Sequence, residues 1–391
     1  MNDKRIYLDN AATTWPKARD LFAAMIDQYL EIGVSPGRGS YDQAVTAETY
    51  VHQTRKKVAK LFHAPDPDRV IFTANATDGL NLALFGILRP GDHVVTTRLE
   101  HNSVLRPLFH LQQTRGVTLT LVPFDGHGYI DPREISRAIG TRTTLVVVNH
   151  ASNVLGTVQP IASIGKICQA CGVPLLVDSS QSAGHIPVSM EEMTASAIVF
   201  TGHKALYGPT GIGGLILHPD LTIQSSRFGG TGMESRSMVH TQTFPHRLEA
   251  GTLNLMGIIG LSLAIDTGAE DFQEAHLQRE LELTRKLYEG LQDIPGVILY
   301  GGPVSAGHVP LFSANIDGMH PEDLAAILDG DFNIAVRAGL HCAPLVHETL
   351  GTVEQGAVRF SLGRYNTIED IETVVEAMSR IAAHRQKGLQ G

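Results

Sequence analysis

Apolar residues recur along this chain in two alternating patterns. Short runs at Val70 to Phe72, His93 to Thr97, Thr118 to Val122, Thr143 to Val148, Val173 to Val177 and Ala197 to Phe200, most of them rich in apolar residues, read as strands. Between them, Leu80 to Leu88, Ser103 to Arg115, Pro132 to Ile139 and Pro160 to Cys171 read as helices. Repeated strand and helix units of this kind predict a mostly parallel sheet with helices on both faces and right-handed crossovers. Ligands of such sheets bind beyond the C-terminal strand ends. The polar residues fall there: Thr77, Glu100-His101, Asn149 to Asn153, Asp178 to Gln181, and Thr201 to Lys204.

The flanking segments follow a different rhythm. A short strand at Ile6 to Asn10 leads into a helix from about Lys17 to Ile32, a turn-rich loop from Gly33 to Tyr41, and a second helix from Asp42 to Phe62. That helix sets Val45, Tyr50, Val51, Val58 and Leu61 toward a core. Beyond Asn254 one long helical stretch runs from Leu255 to about Gln292. Short strands near Val297 and over Pro310 to Ile316 follow, then a helix at Pro321 to Leu328, a strand near Ala335, a loop from Arg337 to Leu345, a strand at Val358 to Leu362 and a last helix at Ile368 to Arg385. The expected fold class is α/β, with a large domain over residues 15–254 and a smaller α/β domain made of residues 1–14 and 255–391.

Charge and composition narrow the partners. A net charge of -9 on 391 residues argues against nucleic acid or an anionic membrane, since both need a basic face. No apolar run reaches the length of a membrane span and MNDKRIYLDN lacks a signal-peptide core, so the expected location is cytoplasmic. Three cysteines do not make a disulfide framework in so long a chain.

The chemistry centres on Val199 to Leu217. An apolar strand stops at Thr201-Gly202-His203, presents Lys204, and resumes as a glycine-rich run and a second strand, with no Asp, Glu, Arg or other Lys between Ala195 and Leu217. An amine in apolar surroundings is costly to keep charged, which suits Schiff-base chemistry. Asp178 ends a preceding strand, and the Ala76-Thr77 turn leads a strand into a helix, where free backbone N–H groups favour a phosphate. Lysine, carboxylate and phosphate cradle together match pyridoxal 5'-phosphate, which needs an amine for its aldehyde, an acid for its pyridine nitrogen and donors for its phosphate. Taken singly, Thr77 also reads as a helix cap and Asp178 as a plain strand-end carboxylate. Cys168-Gln169-Ala170-Cys171 closes an amphipathic helix and reads as packing. His341, Cys342 and His347 lack a fourth ligand for zinc, so no metal is expected.

These residues sit in motifs that resemble the cysteine desulfurases, class V aminotransferase-like enzymes of pyridoxal-phosphate fold type I. The resemblance runs from YLDNAATTWPK (Tyr7 to Lys17) through ANATDGLNLA, EHNSVLRP, NHASNVLGTVQP, VDSSQSAGHIPV, FTGHK, LEAGTLN and RAGLHCAP to VRFSLGRYNT, ending at Thr367. It implies that Lys204 holds the cofactor aldehyde, Asp178 its pyridine nitrogen and Gln181 its ring hydroxyl, while His101 stacks on the ring and relays protons. Ala76, Thr77, Thr201 and His203 would bind the phosphate, helped by Thr252 from a second subunit, so a homodimer is implied. Asn153 and Arg359 would lie by the substrate.

The resemblance gives Cys342 the central role. Its thiolate would take the sulfur of L-cysteine as a persulfide, release L-alanine, and pass the sulfur to an acceptor protein or thiol, with His341 and Arg337 helping to ionise it. The residues alone leave a spectator thiol as the other reading. The alternatives within the superfamily are a selenocysteine lyase acting on L-selenocysteine, or a transaminase, epimerase or β-lyase. The chain departs from the family's short-loop branch at Leu340, where a second histidine is usual.

Overall fold

The computed structural model describes residues 4–37, 39–232, 236–268 and 273–390. In chain order these form β1 (Ile6–Tyr7), α1 (Arg19–Ile32), α2 (Asp42–Leu61), β2 (Val70–Thr73), α3 (Ala76–Ile87), β3 (His93–Thr97), α4 (Asn102–Arg115), β4 (Thr118–Val122), α5 (Pro132–Ala138), β5 (Thr143–Asn149), α6 (Ile161–Ala170), β6 (Leu175–Asp178), β7 (Ala197–Thr201) and β8 (Gly213–Leu217). There follow α7 (Leu255–Gly268), α8 (Gln273–Gln292), β9 (Val297–Tyr300), β10 (Leu311–Ile316), α9 (Pro321–Phe332), β11 (Ile334–Ala335), β12 (Arg337–Gly339), α10 (Pro344–Leu350), β13 (Ala357–Ser361) and α11 (Ile368–Gln390).

Seven strands make the central sheet in the order β2-β8-β7-β6-β5-β3-β4. Every pairing among β7, β6, β5, β3 and β4 is parallel, and β8 runs against both β7 and β2. The order reverses at β3, which carries β4 on one side and β5 on the other, and this opens a crevice at the C-terminal strand ends. Alternation along the strands explains why these segments read as continuous apolar runs. Val146, Val148, Leu175, Val177, Ile198 and Phe200 pack on one face, and Leu145, Val147, Leu176, Ala197 and Val199 pack on the other. Each such side chain contributes roughly 1.5–3 kcal/mol on full burial.

A second cluster covers the antiparallel sheet β12-β13-β10-β9 with α8, α9 and α11. Ile6 and Leu8 belong to it, because β1 pairs in parallel with β11. Leu255, Ile258 and Ile259 of α7 pack instead with the first sheet face. The helical stretch expected over 255–292 is two helices in the structure, and residues 269–272 lie outside the described residues. The segment expected as a loop over Arg337 to Leu345 holds β12 and the start of α10. With seven residues and Pro344 at its first turn, α10 is too short to show a helical period. Val45, expected on the core face of α2, is exposed. Among the described residues no helix is long and apolar enough to cross a membrane.

One buried ion pair joins the framework to the loop that carries Thr252. Arg55 of α2 donates Nη1 to Glu249 Oε1 at 2.8 Å and Nη2 to Oε2, while the Phe72 N–H donates to Glu249 Oε1 at 2.6 Å. Both side chains are almost wholly buried, so removing one partner strands the other charge in the core. Glu249→Ala is expected to lower the unfolding free energy in urea by about 3–5 kcal/mol, with the Arg55→Met/Glu249→Leu double variant recovering most of the loss. A single variant within 1 kcal/mol of the wild type, as an order of magnitude, would rule out this role.

Candidate functional site

The tips of β3, β5, β6 and β7 open into one cavity. The predicted residues Ala76, Thr77, His101, Asn153, Asp178, Gln181, Thr201, His203 and Lys204 all line it, together with Ser103 and Asn149. Nine residues spread over more than 120 positions of sequence therefore share one space, because parallel strands bring their C-terminal ends to the same edge.

Lys204 follows β7 in a tight turn whose Tyr207 N–H donates to the Lys204 carbonyl at 2.8 Å. The turn packs against Gly184, where a Cβ would fall 2.4 Å from the carbonyl of Ala205 and φ is +97°, so only glycine fits. Burial pushes the Lys204 amine down to about 8, opposed by the charge of Asp178 and reinforced by Arg359 and Arg337. Asp178 is buried at the end of β6 and accepts from Ser180 through Oδ1. Among the described residues nothing donates to its Oδ2. Gln181 is buried with its amide nitrogen on the carbonyl of Ala11 at 3.0 Å.

The opposite end of the cavity is lined with donors. Asn75 caps α3 by accepting from the Asp78 N–H at 2.9 Å, which leaves the N–H groups of Ala76 and Thr77 without intrahelical partners. Thr201 Oγ1 is buried with no partner, and Thr77 Oγ1 lies 2.7 Å from Ser103 Oγ. His203 Nδ1 faces Thr13 Oγ1 at 3.1 Å, and burial together with Lys204 and Lys17 brings it down to about 4. Free helix N–H groups and an orphaned hydroxyl beside a desolvated lysine fit a phosphorylated aldehyde.

His101 caps α4, accepting the Ser103 N–H on Nδ1 at 3.0 Å. Burial first, then Lys204, lowers His101 to about 4. Its ring is neutral at neutral pH, and because Nδ1 is an acceptor the proton sits on Nε2. Ser103 was not anticipated from sequence. Its signal was its place two residues after the histidine, where a hydroxyl reaches back to the cap.

Cys342 is exposed and lies beside this cavity. Its carbonyl accepts the Asn102 N–H at the start of α4 at 2.6 Å, and the neighbouring His341 carbonyl accepts from Asn153 Nδ2 at 2.6 Å. His341 and Cys342 are consecutive left-handed residues, at φ 48° and 57°. The help expected from His341 in ionising the thiol is absent. Its Nε2 is bound to the Ala357 carbonyl at 2.9 Å, and burial drives the ring down to about 2, so it is uncharged. Arg337 is exposed and charged, opposite Arg359 across the β12–β13 ladder. Arg359 is buried, donating Nη2 to Asp9 at 2.8 Å and Nη1 to the Asn153 carbonyl at 3.0 Å. Asp9 was likewise not anticipated.

Thr252 is the one predicted residue set apart. It is exposed and lines a different cleft, with Arg55 and Glu249. Among the described residues no three metal-ligating side chains converge. Cys168 is buried, which pushes its thiol up to about 12 and leaves it to packing.

The class V aminotransferase profile matches residues 6–374. The chain is 36% identical to a probable cysteine desulfurase of Methanothermobacter thermautotrophicus, over 96% of this chain and 94% of the other. The chain belongs to the cysteine desulfurase family of class V aminotransferases. A cysteine desulfurase of Dickeya dadantii is 34% identical over 98% of this chain and 92% of its own. The apo structure of the Thermococcus onnurineus cysteine desulfurase superposes with a TM-score of 0.91 at 34% identity, covering 97% of this chain and 95% of that one. The S-sulfonic acid form of the Escherichia coli cysteine desulfurase CsdA superposes with a TM-score of 0.84 at 28% identity, again over 97% and 95%. This family is pyridoxal-phosphate dependent and has fold type I, the architecture seen here.

Histidines buried uncharged make this family member sensitive to acid. His150, behind the cavity, pairs with Ser182 Oγ at 2.9 Å, and burial lowers it to about 4 from 6.5. The unfolded chain therefore takes up a proton first as pH falls. The contribution of His150 is complete above the unfolded value and is lost between about 6.5 and about 4, on the order of 3 kcal/mol in all. Unfolding free energy should drop over this window and drop less in His150→Gln. Parallel pH profiles for the two proteins would show that His150 is not buried neutral.

Proposed function

We propose that this protein is a pyridoxal-phosphate-dependent cysteine desulfurase that moves the sulfur of L-cysteine onto Cys342 and releases L-alanine. The observation that carries the reading is the tether of the Cys342 loop, by Asn102 and Asn153, to the rim of the cavity holding Lys204 and Asp178. When bound, the cofactor supplies an aldehyde for amines and a ring that withdraws electrons from the substrate's α-carbon.

The side chains then have separable tasks. Lys204, brought down to about 8, has a sizeable neutral fraction near neutral pH, so it can hold the aldehyde and carry a proton between substrate atoms. Asp178, with an unpartnered Oδ2, would hold the ring nitrogen protonated, and Gln181 would meet the ring hydroxyl. Ala76, Thr77, Thr201 and His203 would hold the phosphate. His101, with its proton on Nε2, would stack on the ring and relay protons. Arg359, already fixed by Asp9 and the Asn153 carbonyl, receives the substrate carboxylate, and Asn153 Oδ1, buried without a partner, faces the same space.

Sulfur transfer balances without an external oxidant. The Cys342 sulfur bonds to the substrate sulfur as the Cβ–S bond breaks, and the methyl group of alanine gains a proton. The protein keeps an S–SH group. Cys342 is exposed, so an acceptor thiol or protein can reach it. Thr252 is assigned to the phosphate of a second copy, which makes the working unit a homodimer, and we place the reaction in the cytoplasm, where acceptor thiols stay reduced.

Purified protein incubated with L-cysteine and a thiol should give alanine in step with turnover and a persulfide on the Cys342 peptide by mass spectrometry. Cys342→Ser should reduce alanine release to background while keeping a borohydride-reducible chromophore on Lys204. Alanine formed equally well by the serine variant would sink the proposal. Arg359→Lys, which loses the planar fork, should raise KM for L-cysteine by about tenfold, equivalent to ~1.4 kcal/mol.

A further inference from the structure

Glu100 precedes His101 at the tip of β3 and is completely buried, yet none of the tasks above uses it. Its Oε1 accepts the Thr97 hydroxyl at 2.7 Å and the Asn149 N–H at 3.1 Å, tying the tips of β3 and β5 together. Its Oε2 is buried and has no partner, and Asn149 Oδ1 is a second buried acceptor without a donor. Asn149 stands opposite Asp178 in the β5–β6 register. The charged side chain that acts on Glu100 is Asp178, of like sign, and among the described residues no cation pairs with Oε2.

We propose that Glu100 is a positioning residue of the site, held as an uncharged carboxylic acid with its proton on Oε2. An ionised oxygen with no donor in a dry interior is strongly disfavoured. A proton on Oε2 removes that charge. Burial pushes the group up to about 8, and Asp178 adds to the rise. The role in catalysis rests on the desulfurase reading, but the protonation state does not.

Infrared spectroscopy of the full chain labelled with 13C at the glutamate carboxyl tests the protonation directly. At neutral pH the wild type should show a carbonyl band of a protonated glutamic acid, shifted by the label and missing in Glu100→Gln. No labelled acid band in the wild type, or one that survives in Glu100→Gln, overturns the proposal, whether or not alanine is formed. The positioning role is read separately. Glu100→Gln keeps a neutral group and should retain alanine release within about threefold, whereas Glu100→Leu, which strands Thr97 and Asn149, should lose at least about tenfold. Equal losses in both variants would mean that the site uses the charge, and equal activity in all three proteins would remove the role.

Discussion

The amine at the end of β7 is the point on which the structure turns. Taking Lys204 out of water lowers its affinity for a proton, and the charge of Asp178 restores only part of it. That balance requires a sheet whose strand ends converge, since lysine and carboxylate come from adjacent parallel strands, β7 and β6. It also requires the lysine turn to lie flat against the sheet edge, which the missing side chain at Gly184 permits. A sheet buried on both faces supplies the rigidity, because side chains alternating between two cores leave little room for a strand to slip in register.

The Cys342 loop is held by a different device. Two successive residues other than glycine in the left-handed region, His341 and Cys342, cost of order 1–3 kcal/mol each unless their surroundings hold them there. Both of their carbonyls accept short hydrogen bonds from the large sheet's loops, and the His341 ring is anchored to Ala357. Asn153 joins two tasks through one residue. Its amide nitrogen holds the cysteine loop and its carbonyl holds Arg359. The position of the Arg359 guanidinium and that of the Cys342 loop are thereby coupled over a single peptide.

Much of this was legible in the sequence for a physical reason. Strands buried on both faces announce themselves as apolar runs, and when helices separate them the polar residues at their ends must share an edge. Lys204, Asp178 and Thr77 follow from that rule alone. The contacts that set protonation states did not follow, because they depend on partners distant in sequence. The neutral His341 is explained by burial in the folded core, against the pull of a carbonyl sixteen residues later, and the orientation of Arg359 by an aspartate 350 residues earlier. Arg55 and Glu249 stand far apart in sequence, yet meet in the core. The short helix α10 escaped because seven residues do not complete two helical turns.

The distribution of charge in the cavity separates binding from proton transfer. Burial lowers His101, His203 and His341 to about 4 or below, so the fixed positive charge felt at Lys204 comes from Arg359 and Arg337. Lys204 and Glu100 are left as the groups at the cavity brought to about 8, and they lie on either side of Asp178. Desolvation loosens the proton of the amine and tightens that of the carboxyl, so one physical cause brings two groups of opposite kind to the same range.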